Sequence, residues 1–334
     1  MSRAKLEALG LKIPILPTTS VGSFPKPDYL KKARIQYARG EIDRKELRTL
    51  EEKATAFWIE TQEELDIDVV VDGEMYRGDM VAYFAETLDG FTLGGLVRSY
   101  GNRYYKKPII TGPVGWPGPV TVDWWRFAQE RTERPVKGML TGPYTIMDWS
   151  FNEYYPSRAD ATLALAKEIR KEVEALAEAG AKIIQVDEPA VSTRPEEMPL
   201  AVEALEIVTR DMPVYFITHI CYGAFEFIYP GMLDLPVDNF DLEMSNSELD
   251  LLELFVRHPF TKDFSFGCLD VHSRKIEKPE TVEERLKRVL ECLPAEQVWI
   301  DPDCGLKTRT VEEAIEKLRV MVDRARTLRA TLSG

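Results

Sequence analysis

Short apolar runs alternate with longer amphipathic ones along the chain, most regularly in its second half. Lys182–Val186, Pro213–Thr218, Asn239–Glu243, Phe264–Cys268 and Gln297–Ile300 are brief and bounded by turn residues, as buried parallel strands are. Between them the pattern turns helical. From Ser157 to Ala179, Leu165, Ile169, Val173 and Leu176 fall on one helical face, and Gly180 suits the stop. Thr281–Glu284 and Thr310–Glu313 both match the capping box, in which threonine and glutamate satisfy each other's backbone donors. A last helix is predicted from Val311 to about Leu328. The first half is less regular, with strands expected at Thr18–Ser23 and Ile67–Val71 and a helical pattern from Glu41 to Leu65. Residues 86–135 read as a long insertion with a hairpin; from 89 on they are rich in Gly, Pro, Tyr and Trp and lack a helical period. The eight expected strands cover about 16–22, 67–72, 137–141, 182–187, 213–219, 239–243, 264–269 and 297–301. This predicts an α/β fold, a (β/α)8 TIM barrel with an insertion between strands two and three, and a single catalytic domain over 1–334 with residues 1–15 as an extension. A doubly wound open sheet has the same alternation and is the structural rival.

Composition narrows the class. With 334 residues, 44% apolar, the chain can bury a large core without disulfides. A net charge of −13 argues against nucleic acid and anionic membrane as partners. No apolar run approaches the roughly 20 residues of a membrane span. The start lacks the apolar core of a signal peptide, so the expected location is the cytoplasm. There the four cysteines Cys221, Cys268, Cys292 and Cys304 stay thiols, open to metal binding, catalysis or packing.

The reactive residues fall at or just after the C-terminal ends of the expected strands: Gly22 and Ser23, Glu74, Asp187, His219 and Cys221, Glu243, His272, and Cys304. In a barrel those ends form the face that carries active sites. His219 and Cys221 are two apart, so an extended chain points both one way, and imidazole and thiolate are preferred zinc ligands. His-x-Cys also arises by chance; Cys304, in the polar loop Asp301–Arg309, strengthens the metal reading. Glu243 adds a carboxylate where an unpaired charge is costly. Together they make a four-coordinate set whose carboxylate is the replaceable member, a site able to accept a thiol. Cys292, among Val289, Leu290 and Leu293, is assigned to packing, and Cys268 to core or to the surroundings of the site. Asp187 and Glu188 admit two readings, a carboxylate for a substrate ammonium or a structural one as a helix N-cap or buried ion pair, and Glu74 has the same two. His272 is a general acid or an ordinary hydrogen-bonding residue. His258 reads as a loop or helix-end residue. Trp149 offers either a stacking face for a planar ring or an aromatic cover for core.

The blocks Thr19–Pro25, Asp72–Val81, Tyr83–Phe84 with Leu88–Phe91, Lys137–Pro143, Gln185–Ala190, His219–Cys221 and Asp301–Arg309 occur in this order from about Leu16 to Leu328. In this the chain resembles the C-terminal catalytic barrel of the cobalamin-independent methionine synthases. The resemblance implies that His219, Cys221, Glu243 and Cys304 ligate Zn2+. It also implies that Val21, Gly22, Ser23, Glu74 and Asp187 hold the amino-acid end of homocysteine, that His272 donates a proton, and that Arg103 and Trp149 contact the methyl donor. The implied reaction is methyl transfer to a homocysteine thiolate, giving methionine. Two positions depart from the family: Gly78 replaces an expected asparagine, and Asp148 an expected cysteine before Trp149. The additional N-terminal barrel of the long members is not matched. The expected donor is therefore a methylated corrinoid (methylcobalamin or a corrinoid protein), with methyltetrahydrofolate as the other choice. The rival functions are a corrinoid-dependent methyltransferase acting on a different thiol and a structural zinc-binding protein.

Overall fold

The computed structural model describes residues 2–98, 104–221, 225–245, 247 and 249–332. Nine strands are present among them: β1 (Asp89–Arg98), β2 (Tyr104–Gly115), β3 (Gly138–Thr141), β4 (Phe151–Asn152), β5 (Ile183–Asp187), β6 (Tyr215–Ile220), β7 (Asn239–Glu243), β8 (Asp263–Gly267) and β9 (Val298–Asp301). Two compact units form, one of Met1–Tyr76, Trp124–Lys137 and Asn239–Gly334, the other of Arg77–Asp123 and Gly138–Asp238.

In the first unit β7, β8 and β9 pair in parallel. The series continues through two segments that form only isolated parallel bridges, Thr18 beside Ile300 and Val70 beside Val136. Their backbone bonds are nonetheless those of a parallel ladder: Thr19 N–H donates to Ile300 O at 3.0 Å, Val69 N–H to Thr18 O at 3.0 Å, and Lys137 N–H to Val70 O at 2.9 Å. Side chains take over the rest. Thr18 N–H and its hydroxyl both donate to Asp68 Oδ2 at 2.8 Å. The Gln62 amide brackets Val71, accepting its N–H at 2.9 Å and donating to its carbonyl at 2.8 Å. These substitutions, with Pro17 lacking a donor, explain why the first two expected strands are extended segments without regular ladders.

Helices cover this unit. Arg44–Glu64 is opened by a capping box between Asp43 and Glu46 and buries Trp58, Ile59 and Leu47. A helix at Asp28–Ala38 precedes it, outside the helical pattern read from sequence. The Thr310–Glu313 box forms as expected, and the helix runs Val311–Leu332. The Thr281 box does not: the helix starts at Pro279, two residues earlier, because proline pre-sets φ at the first helical position. Cys292 lies beyond the end of that helix and is exposed, which corrects its assignment to packing. Cys268 is buried, as a core residue would be.

In the second unit β3, β5 and β6 pair in parallel. β1 and β2 form an antiparallel hairpin, with β4 alongside β2. The helix Arg158–Ala179 begins at the Ser157 cap and stops at Gly180, whose φ is 110°. Its buried Glu172 holds the segment after the hairpin by accepting from Trp116 Nε1 at 2.7 Å and from Thr121 N–H and hydroxyl at 2.7 and 2.6 Å. A further helix at Val122–Gln129 corrects the expectation that residues 89–135 lack one.

Candidate active site

Every residue of β6 is buried, and this strand delivers His219 at its end and Cys221 just beyond it. The strand is fixed by its pairing with β5, by Thr218 donating to Val186 O at 2.8 Å, and by Glu188 N–H donating to His219 O at 3.2 Å. His219 and Cys221 are 3% and 6% exposed. Cys304 follows β9 in a loop anchored by Asp303, whose carboxylate accepts from Met244 N–H at 2.9 Å, from Ser245 N–H at 2.8 Å and from the Ser245 hydroxyl. Asp303 thereby ties the Cys304 loop to the residues that follow Glu243 on β7. Burial, with Glu243 acting in the same direction, pushes the Asp303 carboxyl up to about 8.

All four cysteines are free thiols. Among the described residues one group of side chains is arranged to hold a metal ion: His219, Cys221 and Cys304, with ligand atoms all within 4.8 Å of one another. Glu243 is not part of that group. Its carboxylate lies 4.0 Å from His272 Nε2 instead. His272 sits in the loop after β8, where its N–H donates to Asp270 Oδ1 at 2.8 Å, and its side chain is one-third exposed. Two thiols and an imidazole, two of the three donors buried, are a donor set suited to zinc.

Four of the residues expected at the amino-acid end, Val21, Gly22, Ser23 and Glu74, occupy two loops of the first unit. Val21 and Gly22 are buried. Ser23 packs so closely against Gly305 that a Cβ there would strike its hydroxyl, so the residue after Cys304 must be glycine for the loop to lie on Ser23. Glu74 sits at φ 57° after Gly73 at 78°; a left-handed glutamate carries about 1 kcal/mol of strain. Asp72 holds this turn, accepting from Glu74 N–H at 2.9 Å and from Tyr76 Oη at 3.0 Å.

Of the roles that sequence leaves open for Asp187 and Glu188, Glu188 takes the helix-capping one. Glu188 is fully buried and accepts from Tyr144 N–H at 3.0 Å, Thr145 N–H at 2.7 Å and the Thr145 hydroxyl at 2.6 Å. It thus serves the N-terminus of the helix Pro143–Asp148, whose own cap residue, Gly142, has no side chain. A Cβ at Gly142 would collide with this carboxylate. Burial pushes Glu188 up to about 7. Asp187, at the end of β5, accepts from Gln185 Nε2 at 2.8 Å and is 8% exposed. Trp149 is the C-cap of the same short helix and is half-buried. Asp148 is ion-paired with Arg158 at 2.6 Å and Arg194 at 3.1 Å. Arg103 lies outside the described residues. One contributor to the positioning of these loops escaped the sequence reading: Asp303, hidden inside a motif noted for its cysteine.

Residues 16–327 match the family model described as "Cobalamin-independent synthase, Catalytic domain". The 5-methyltetrahydropteroyltriglutamate--homocysteine methyltransferase of Neisseria meningitidis serogroup C is 39% identical, over 100% of this chain and 46% of that protein. The methionine synthase of Saccharolobus solfataricus is 38% identical over 96% of this chain and 97% of its own length. The solved B12-independent methionine synthase from Shewanella sp. W3-18-1, in complex with selenomethionine, superposes with a TM-score of 0.86 at 27% identity, covering 96% of this chain and 99% of that one. The chain spans about half the length of the long relatives, such as the Neisseria enzyme. The fold is the (β/α)8 barrel of this group, in which strand C-terminal ends line the active-site face. The expectation of a methylated corrinoid donor is overturned: the family is described as cobalamin-independent, and the long relatives are named for a methylated pteroyltriglutamate. On the match over residues 16–327 and the likeness to full-length relatives, this chain belongs to the cobalamin-independent methionine synthase catalytic-domain family.

Proposed function

We propose that the chain is a zinc-dependent homocysteine methyltransferase that makes methionine with a 5-methyltetrahydropteroylglutamate as donor. The observation that supports this is the meeting of His219, Cys221 and Cys304, whose ligand atoms lie within 4.8 Å of one another with neither cysteine in a disulfide. These three would hold the metal, with Glu243 as a fourth, exchangeable carboxylate; three firm protein ligands and one replaceable position characterise catalytic rather than structural zinc. Bound zinc supplies a Lewis acid that lowers the pKa of a thiol, so that the nucleophile is present at neutral pH. The chain's own residues do the positioning. Glu74 and Asp187 take the ammonium group of homocysteine, and Val21–Ser23 line its amino-acid end. Fixing those groups aims the sulfur at the methyl carbon, the entropic part of the catalysis. The leaving nitrogen of a methylated pterin needs a proton, and His272 would give it. Trp149 offers its ring face to the pterin. We read 1–334 as one catalytic domain acting in the cytoplasm, where the ligating cysteines stay reduced.

Metal analysis tests the site. Zinc should be near one per chain in the purified protein and fall to trace in Cys221→Ser and in Cys304→Ser. Full retention in both variants would remove the ligand assignment.

A further inference from the structure

Lys26 differs from the other cations around the substrate-end residues. It lies three residues past Ser23, and its ammonium donates to the Glu74 carbonyl at 3.3 Å. That long contact with a neutral oxygen is its one hydrogen bond among the described residues, and no carboxylate there is within ion-pair distance. Arg34, by contrast, is fully engaged, with Glu51 at 3.1 Å and the Tyr76 carbonyl at 3.2 Å. Lys307 is exposed, in the loop that carries Cys304 and Gly305, and has no partner among the described residues either. Burial, followed by the Arg34 charge and with Lys307 adding to it, lowers the Lys26 ammonium to about 8 against the opposing charges of Glu74 and Glu51, so it is still charged at neutral pH. With Arg34 paired to Glu51, the half-buried Lys26 and the exposed Lys307 share the one remaining acidic neighbour, Glu74, which leaves a positive charge for an anion to meet.

We propose that Lys26, backed by Lys307, forms a subsite for a substrate carboxylate. This rests on the homocysteine reading above. Ser23 packs on Gly305, and Lys26 is bonded to the backbone of Glu74, the residue read as holding the ammonium. A cation and an anion side by side match the two ends of a zwitterionic amino acid. A glutamate tail on the donor presents the same chemical group.

The test compares the full zinc-loaded chain with Lys26→Gln, which keeps a donor for the Glu74 carbonyl, and with Lys26→Arg, which keeps the charge. Calorimetry measures binding of homocysteine against 3-aminopropane-1-thiol, the aminothiol without the carboxylate. The same is done for 5-methyltetrahydropteroyltriglutamate against the carboxamide of 5-methyltetrahydropteroic acid, which has neither the tail nor a free carboxylate. Wild type should prefer the carboxylate-bearing ligand, Lys26→Gln should lose about tenfold of that preference, and Lys26→Arg should keep most of it. Loss in the aminothiol pair assigns the carboxylate to homocysteine, and loss in the donor pair alone assigns it to the tail; either supports the subsite. Equal preferences in wild type and a folded Lys26→Gln, for both pairs, would overturn it. If Lys26→Gln does not fold, Lys307→Gln carries the same comparison. Because binding is read directly, tight binding without methionine formation counts against the methyltransferase reading and not against the subsite.

Discussion

Glu188 shows how a carboxylate at this site can serve structure rather than substrate. Its carboxylate satisfies two orphan N–H groups of the helix that ends at Trp149, yet burial raises it to about 7. The folded protein therefore holds that proton more tightly than the unfolded chain does. The stabilisation is fully present below the ordinary carboxylate value and is lost as pH rises through about 7. The difference in unfolding free energy between wild type and Glu188→Gln should narrow by about 3 kcal/mol between acid and neutral pH; a flat difference in denaturant titrations would refute this. Asp187 should behave otherwise. Asp187→Asn and Glu74→Gln are each expected to raise KM for homocysteine about tenfold or more, the value of a charge-assisted contact, with little change in melting temperature. At this scale the sequence was informative about residue types and weak about roles. The pair Asp187-Glu188 reads the same either way round, because which acid turns inward depends on where β5 ends.

Elements were legible where the local signal was strong. Ser157 and Gly180 delimit their helix as expected, and β7 occupies the expected residues. The failures have local causes. Pro279 outcompetes Thr281 as a start signal, and Asp68 and Gln62 replace backbone partners at the first two segments, which no period-two pattern encodes. The segment after the hairpin depends on Glu172, a buried acid on a helix otherwise read for its apolar face. Glu172→Ala would strand the donors of Trp116, Val120 and Thr121 and should cost about 3 kcal/mol or more in urea unfolding. A change within error would mean that this anchor contributes nothing.

For the whole molecule, the alternation of strands and helices was enough to predict the barrel. The choice of donor was not, since it rested on an unmatched N-terminal barrel and on the departures at Gly78 and Asp148, neither of which reports which donor binds. No helix among the described residues is long and apolar enough to cross a membrane. If the cluster of His219, Cys221 and Cys304 binds zinc in the folded state alone, added zinc should raise the melting temperature of chelator-treated protein by a few degrees, and Cys304→Ser should abolish the rise. The central claim is zinc-dependent methylation of homocysteine, and one assay bears on it most directly. Zinc-loaded protein is incubated with homocysteine and 5-methyltetrahydropteroyltriglutamate, and methionine is quantified before chelation, after it, and after zinc is restored. Methionine should form, stop on chelation and resume with zinc. No methionine from the zinc-loaded chain, or formation untouched by chelation, would contradict the account.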